Sequence, residues 1–202
     1  VSTLDVLSEG RAYLGIGAAW FEREHNALGV PYPSTKERFE RLEETVQIVL
    51  QMWSTNNGSY NGTHYQLAET LNVPATVSRP HPPILIGGGG EKKTLRLVAQ
   101  YADACNFFPS PELPHKLDVL KEHCSRLGRN YAEIEKTTLS SATLTLGDPS
   151  SARKVLDAIE YQASLGIDQV ILNFGNLTDP AIVEMAAKEI VEPARSISTA
   201  GR

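Results

Sequence analysis

The chain has 202 residues, 41% of them hydrophobic and 21% charged, and a formal net charge of −5 at pH 7. Such a domain can bury about 70% of its unfolded surface, and its charge gives no basic footprint for nucleic acid or an anionic membrane. No apolar run approaches the roughly 20 residues of a membrane span, and the two cysteines, Cys105 and Cys124, make no disulfide framework, so a cytoplasmic setting is expected.

In chain order, Leu4, Val6 and Leu7 read as the last turns of a helix with Gly10 as its C′ residue. So short a helix has little to hold it alone, and the sequence is expected to start inside a domain rather than at its edge. Residues 11–17 read as a strand running into Gly15-Ile16-Gly17. The pattern fails as a dinucleotide fingerprint, because no helix opens at once and Trp20 stands in the last glycine's place. It suits a strand end where a flat ring or a phosphate tail meets the backbone. Trp20 and Phe21 are candidates for a pocket wall, and His25, flanked by charges, reads as a solvated or capping histidine. Ser34-x-x-Glu37 is a capping box, and Phe39, Leu42, Val46, Val49, Leu50 and Trp53 mark the buried face of a long helix.

Residues 54–82 change character, with several Asn-Gly and proline signals and few apolar residues. They read as an insertion lying over the body of the domain, with a hairpin over 60–65 closed by a type I′ turn at Asn61-Gly62. Pro82 and Pro83, which cannot donate to a ladder, then fix the start of Ile84-Leu85-Ile86, an apolar run suited to a strand buried on both faces. Gly87, Gly88, Gly89 and Gly90 follow, then Lys92, Lys93, Thr94 and helical spacing through Leu95, Val98, Tyr101 and Ala102. Apolar strand, glycine turn and helix start together offer backbone amides to an anion, so the stretch reads as a phosphate cradle. Gly87 to Thr94 is a poor P-loop, since Lys92 replaces its second glycine and no strand ending in Asp follows to hold magnesium.

Strands are expected over 102–108, 136–146 and 169–174, and helices from Leu113 to Leu127 and after Asp148-Pro149 and Asp179-Pro180. Residues 196–202 read as a disordered tail. Five strands alternating with helices imply a parallel sheet, whose ligands lie at the carboxyl ends of the strands. Both glycine corners fall there, which argues for one shared site. The five histidines show no metal-ligand spacing, so no metal is expected.

Four segments, 7–20 (Leu7-Ser8-Glu9-Gly10-Arg11 through Trp20), 38–44 (Arg38-Phe39-Glu40-Arg41-Leu42-Glu43-Glu44), 82–90 and Tyr101-Ala102-Asp103, resemble the luciferase-like flavin and deazaflavin oxidoreductases. Within them the likeness is nearest the coenzyme F420-dependent branch. The resemblance covers nearly the whole chain and implies a (β/α)8 TIM barrel of which strands four to eight stand here as a single domain, with 54–82 as the insertion before the fifth strand. Strands one to three, absent here, usually carry a non-prolyl cis peptide behind the flavin and often an acid/base histidine, so no catalytic residue is assigned. The cofactor-binding residues implied are Gly15, Ile16, Gly17 and Ala18 along the ring or its tail, and Gly87, Gly88, Gly89 and Gly90 at the phosphate. Some relatives carry a glutamate proton acceptor where Ala18 stands. The implied chemistry is hydride transfer between F420 and a small organic substrate. The alternatives are an FMN-dependent monooxygenase and a non-catalytic remnant. Unpaired strand edges in such a part imply a homo-oligomer.

Overall fold

The computed structural model describes residues 1–175 and 179–200. Seven strands and the helices between them follow the expected alternation, with α2 as an addition the sequence reading did not include: α1 (Ser2–Leu7), β1 (Leu14–Ile16), α2 (Glu22–Leu28), α3 (Thr35–Met52), β2 (Tyr60–Asn61), β3 (Gln66–Leu67), β4 (Ile84–Gly87), α4 (Thr94–Tyr101), β5 (Ala104–Phe107), α5 (Leu113–Leu127), β6 (Glu135–Ala142), α6 (Pro149–Ser164), β7 (Gln169–Phe174) and α7 (Pro180–Ala186). Five strands form one parallel, curled sheet in the order β1-β4-β5-β6-β7, an α/β half-barrel. The helices behave as their sequences dictate. Ser34 Oγ accepts from Glu37 N–H to cap α3, Asp148 and Asp179 cap α6 and α7, and Gly128 ends α5 in the left-handed conformation.

Alternation along the strands divides the sheet into two faces. Ile84, Ile86, Cys105 and Phe107 point outward and are buried beneath Leu42 and Val46 of α3, Val98 of α4, and Leu117 and Leu120 of α5. Each such aliphatic side chain contributes about 1.5–3 kcal/mol on burial. A second cluster, built on Leu144, Ala152, Ile182, Ala186 and Ile190, seals α6 and α7 near β6 and β7. The opposite face carries Gly15, Leu85, Asn106, Leu139 and Ile171, which border a cavity rather than a core.

The amino ends of the strands are stapled by one repeated device. Asp103 N–H donates to Ile84 O while Ile84 N–H donates to Asp103 Oδ2, at 2.8 and 2.9 Å. Asp168 does the same to Lys136, at 2.8 Å in both directions, and its carboxylate also meets the Lys136 ammonium at 3.3 Å with both side chains buried. In parallel α/β folds this end reads as stability, leaving the other end for ligands.

Three expectations change in detail. β1 is shorter than 11–17, because pairing begins only where Leu14 N–H donates to Pro83 O. The hairpin forms, but its pairs Tyr60↔Leu67 and Asn61↔Gln66 leave a four-residue loop in place of a two-residue type I′ turn. The cause is Glu44 on α3, whose carboxylate accepts the N–H groups of Thr63, His64 and Tyr65 and wraps the loop around itself. The N-terminal helix is firmly held. Buried Asp5 accepts from Val77 N–H, Ser78 N–H and Ser78 Oγ, and Ser2 joins Trp53 to Asn72. Of the tail expected over 196–202, residues 196–200 are described, with Ala200 N–H donating to Ala163 O; 201 and 202 lie outside the described residues.

Candidate functional site

The two glycine corners are neighbours. Parallel pairing sets Leu14, Gly15 and Ile16 beside Ile84, Leu85 and Ile86, so both strands reach the same end of the sheet together. A Cβ on Gly17 would sit 3.7 Å from Gly87 O, whereas one on Gly15 or Gly87 would meet nothing within 4 Å. The absence of side chains there leaves a flat backbone surface for a ring to approach. Gly15, Gly17 and Gly87 form one wall of a cavity of about 940 Å³, Leu85, Asn106, Leu139 and Ile171 form its floor, and Trp20 and Phe108 stand at its rim. Its size falls within the range of small-molecule sites. Trp20 is 83% exposed and borders the opening, whereas Phe21, its ring 5.1 Å away, is not among the residues that line the cavity. Ile16 and Ala18 pack their side chains against the core and give the cavity mainly backbone.

The second corner leaves backbone donors open. Gly88 has φ +116°, a conformation open to glycine, and its N–H already donates to Asn106 O at 3.0 Å. That bond ties the corner to β5 and removes one of the amides expected for a phosphate. Gly89 and Gly90 keep theirs, with no acceptor among the described residues. A Cβ on Gly89 would come 3.1 Å from Lys116 Nζ, and one on Gly90 would come 2.9 Å from Thr94 Oγ1. Gly89 and Gly90 border both the cavity, which Thr94 also lines, and an outer pocket lined by Lys116, whose ammonium lies 4.0 Å from the Glu112 carboxylate. Lys93 stands beside that pocket over the Phe39 ring at 5.3 Å, and the carboxylates of Glu91 and Glu112 flank the outer side. Glu91 is drawn aside by His115 Nε2 at 3.5 Å. The donors present fit a phosphate monoester or diester, and the glycine wall beside them fits a flat ring.

Arg38, present in the sequence motif but given no task there, proves to hold the loop after β1. Its Nη1 donates to Ala18 O and Ala19 O at 3.2 and 2.5 Å, its Nη2 to Thr35 Oγ1, and its guanidinium lies 4.2 Å from the Tyr32 ring centre. Ala19 has φ +57°, a strained setting for alanine that this clamp sustains. His25 braces the loop between α2 and α3, with Nδ1 3.2 Å from Pro31 O and its ring edge-on to Tyr32. Sequence reasoning also passed over Asn106 and Lys116. The only signal for Asn106 was one polar residue inside an apolar strand. Cys105, facing the core, has its thiol pushed up to about 12 by burial, so it serves packing and not chemistry. Among the described residues, no carboxylate, imidazole or thiol lines the cavity and no His, Cys, Asp and Glu cluster could hold a metal. The arrangement offers a flat glycine wall and backbone donors to a phosphate-bearing ring, with the Tyr32 phenol also in its lining.

An F420-dependent glucose-6-phosphate dehydrogenase of Kineococcus radiotolerans is 29% identical over 95% of this chain and 62% of its own length. An FMNH2-dependent dimethylsulfone monooxygenase of Pseudomonas putida is 32% identical over 44% of this chain and 24% of its own. The chain thus spans less than two thirds of the length of these curated relatives. In fold it is similar to the coenzyme F420-dependent tetrahydromethanopterin reductase of Methanopyrus kandleri, with a TM-score of 0.72 at 12% identity over 96% of this chain and 77% of that one. Residues 1–193 match the luciferase-like monooxygenase family model, and the chain belongs to that family.

Proposed function

We propose that this chain is the cofactor-gripping part of an oxidoreductase that passes a hydride between F420 and a small organic substrate. The observation that carries this reading is the meeting of two glycine corners over one cavity, with the unengaged amides of Gly89 and Gly90 beside Lys116. When bound, a cofactor of this class supplies or accepts the hydride. The chain's own share is to anchor the phosphate at Gly89, Gly90, Lys116 and Thr94, and to lay the ring against the bare backbone of Gly15, Gly17 and Gly87. Leu85, Leu139 and Ile171 keep water from the reacting face. Proton transfer falls to groups outside the described lining. An FMN-dependent monooxygenase is the second reading, favoured by the similarity to the dimethylsulfone enzyme. FMN and F420 share the phosphate end that the corner would read. This part alone is expected to bind without turning over. With β1 and β7 at the two sheet edges, self-association also remains our expectation, as does a cytoplasmic setting.

Visible-absorbance titration of the chain with F420 and with FMN tests the reading. A perturbed, saturable cofactor band with at least one of them is expected, with F420 tighter. Failure of both to bind refutes it.

A further inference from the structure

The cavity floor carries one polar side chain that neither glycine corner explains. Asn106 is half-buried on β5, with Nδ2 2.7 Å from Thr137 Oγ1, and Thr137 Oγ1 lies 2.9 Å from Cys105 O. A carbonyl has no proton to give, so the single hydroxyl proton of Thr137 must lie on the line to Cys105. Toward Asn106 the hydroxyl then offers only lone pairs. Thr137 is 1% exposed, so water gives it no alternative. The amide of Asn106 must therefore turn its NH2 to Thr137 and leave Oδ1 to the cavity. Among the described residues Oδ1 has no hydrogen-bond partner.

Oδ1 is an acceptor without charge, set among Leu85, Leu139 and Ile171. Of the cations near the cavity, Lys93 and Lys116 stand at the Gly89–Gly90 end, and Arg38, in the lining by the loop after β1, spends Nη1 and Nη2 on two carbonyls and Thr35 Oγ1. An anion brought to the floor would meet the negative end of the Asn106 amide dipole among Leu85, Leu139 and Ile171, and would lose its water there with no cation among these floor residues. A neutral O–H or N–H would find its acceptor ready.

We propose that Asn106 is the residue that selects the bound molecule by its donor, so that the floor takes an uncharged, mainly apolar substrate carrying a hydroxyl and rejects the corresponding phosphate ester. The inference rests on the cofactor reading of the cavity and deepens it by naming the substrate class. The donor satisfied by Asn106 belongs either to the substrate hydroxyl or to a ring N–H of the cofactor, and two titrations separate these sources. The full chain is titrated with F420 and FMN, and the complex with the tighter cofactor is then titrated with cyclohexanol and with cyclohexyl phosphate. Both are followed by the visible band and the thermal unfolding midpoint. The native chain is expected to favour the alcohol over its ester by at least about tenfold, and Asn106→Leu to weaken the cyclohexanol titration by about tenfold, the worth of one neutral hydrogen bond. Loss on cyclohexanol assigns the donor to the substrate and supports the proposal; loss confined to the cofactor assigns it to the ring and overturns the substrate class. Thr137→Val, which frees the amide to turn, is expected to narrow the preference for alcohol over ester while leaving the cofactor's phosphate contacts intact. An Asn106→Leu chain equal to native in both titrations overturns the proposal. So does a native chain that binds the ester as tightly as the alcohol, whatever the variants do. If neither cofactor binds, the functional reading fails, and the midpoint of the cofactor-free chain with alcohol and ester still decides the role of Asn106.

Discussion

Replacing Gly89 with Val separates binding from folding. Gly89 is outside the left-handed region, so a side chain there strains no backbone. Its Cβ would press on Lys116 at 3.1 Å from Nζ and 3.2 Å from Cδ, the far end of a flexible chain that can swing away. The fold should therefore lose no more than about 1 kcal/mol. The anion loses more, because the valine shields one amide and displaces the ammonium, and a hydrogen bond to a charged group is worth about 1.5–3 kcal/mol. At 1.4 kcal/mol per decade, the dissociation constant for F420 or FMN should rise about 10- to 100-fold. Riboflavin, which lacks the phosphate, should bind as before. Titration by visible absorbance alongside thermal unfolding reads both quantities. Affinity unchanged within about twofold, with an unchanged melting point, would refute the cradle. Gly88→Ala makes the opposite control: at φ +116° it should cost the fold directly.

Lys136→Met leaves the Asp168 carboxylate buried without its ammonium, a change expected to cost about 3–5 kcal/mol; differential scanning calorimetry should show the melting point lowered by roughly 6–20 °C. The hairpin should come loose in acid. Burial raises the affinity of the Glu44 carboxyl for a proton, but the N–H groups of His64, Thr63 and Tyr65 outweigh it and hold its pKa below the ordinary 4.5. A depressed folded value means that the stabilisation is complete above about pH 4.5 and is lost as pH falls through the folded value. Amide exchange over 60–67 should accelerate there, and Glu44→Gln should abolish that pH dependence. Both cysteines are buried, and burial holds the Cys105 thiol at about 12, so an aromatic disulfide reagent at pH 8 should label neither until denaturant is added.

The sequence was most legible where a residue type has one physical use. Glycines directly after apolar runs marked the strand ends, and prolines after Asp marked the starts of α6 and α7, because each restricts the backbone by itself. It was least legible where a distant side chain decides. Asn61-Gly62 advertises a two-residue turn, yet Glu44, nearly twenty residues earlier, redraws the loop by taking three of its amides. Nothing local marks Asp5 as the anchor of α1, since its partners lie at Val77 and Ser78. The same holds within the site. The glycines could be read directly, but that Gly88 has already given its N–H to Asn106, and that Lys116 leans over Gly89, follows only from the pairing of β4 with β5 and the approach of α5.

The anchorage of Asp5 has a practical consequence for anyone redesigning the protein. The segment over 54–82 invites deletion, being poor in regular structure. Yet its last stretch is what the opening helix hangs from, and a six-residue helix cannot persist untethered. Trimming that segment would therefore unmoor α1, and a graft that keeps one without the other would leave both without their anchor.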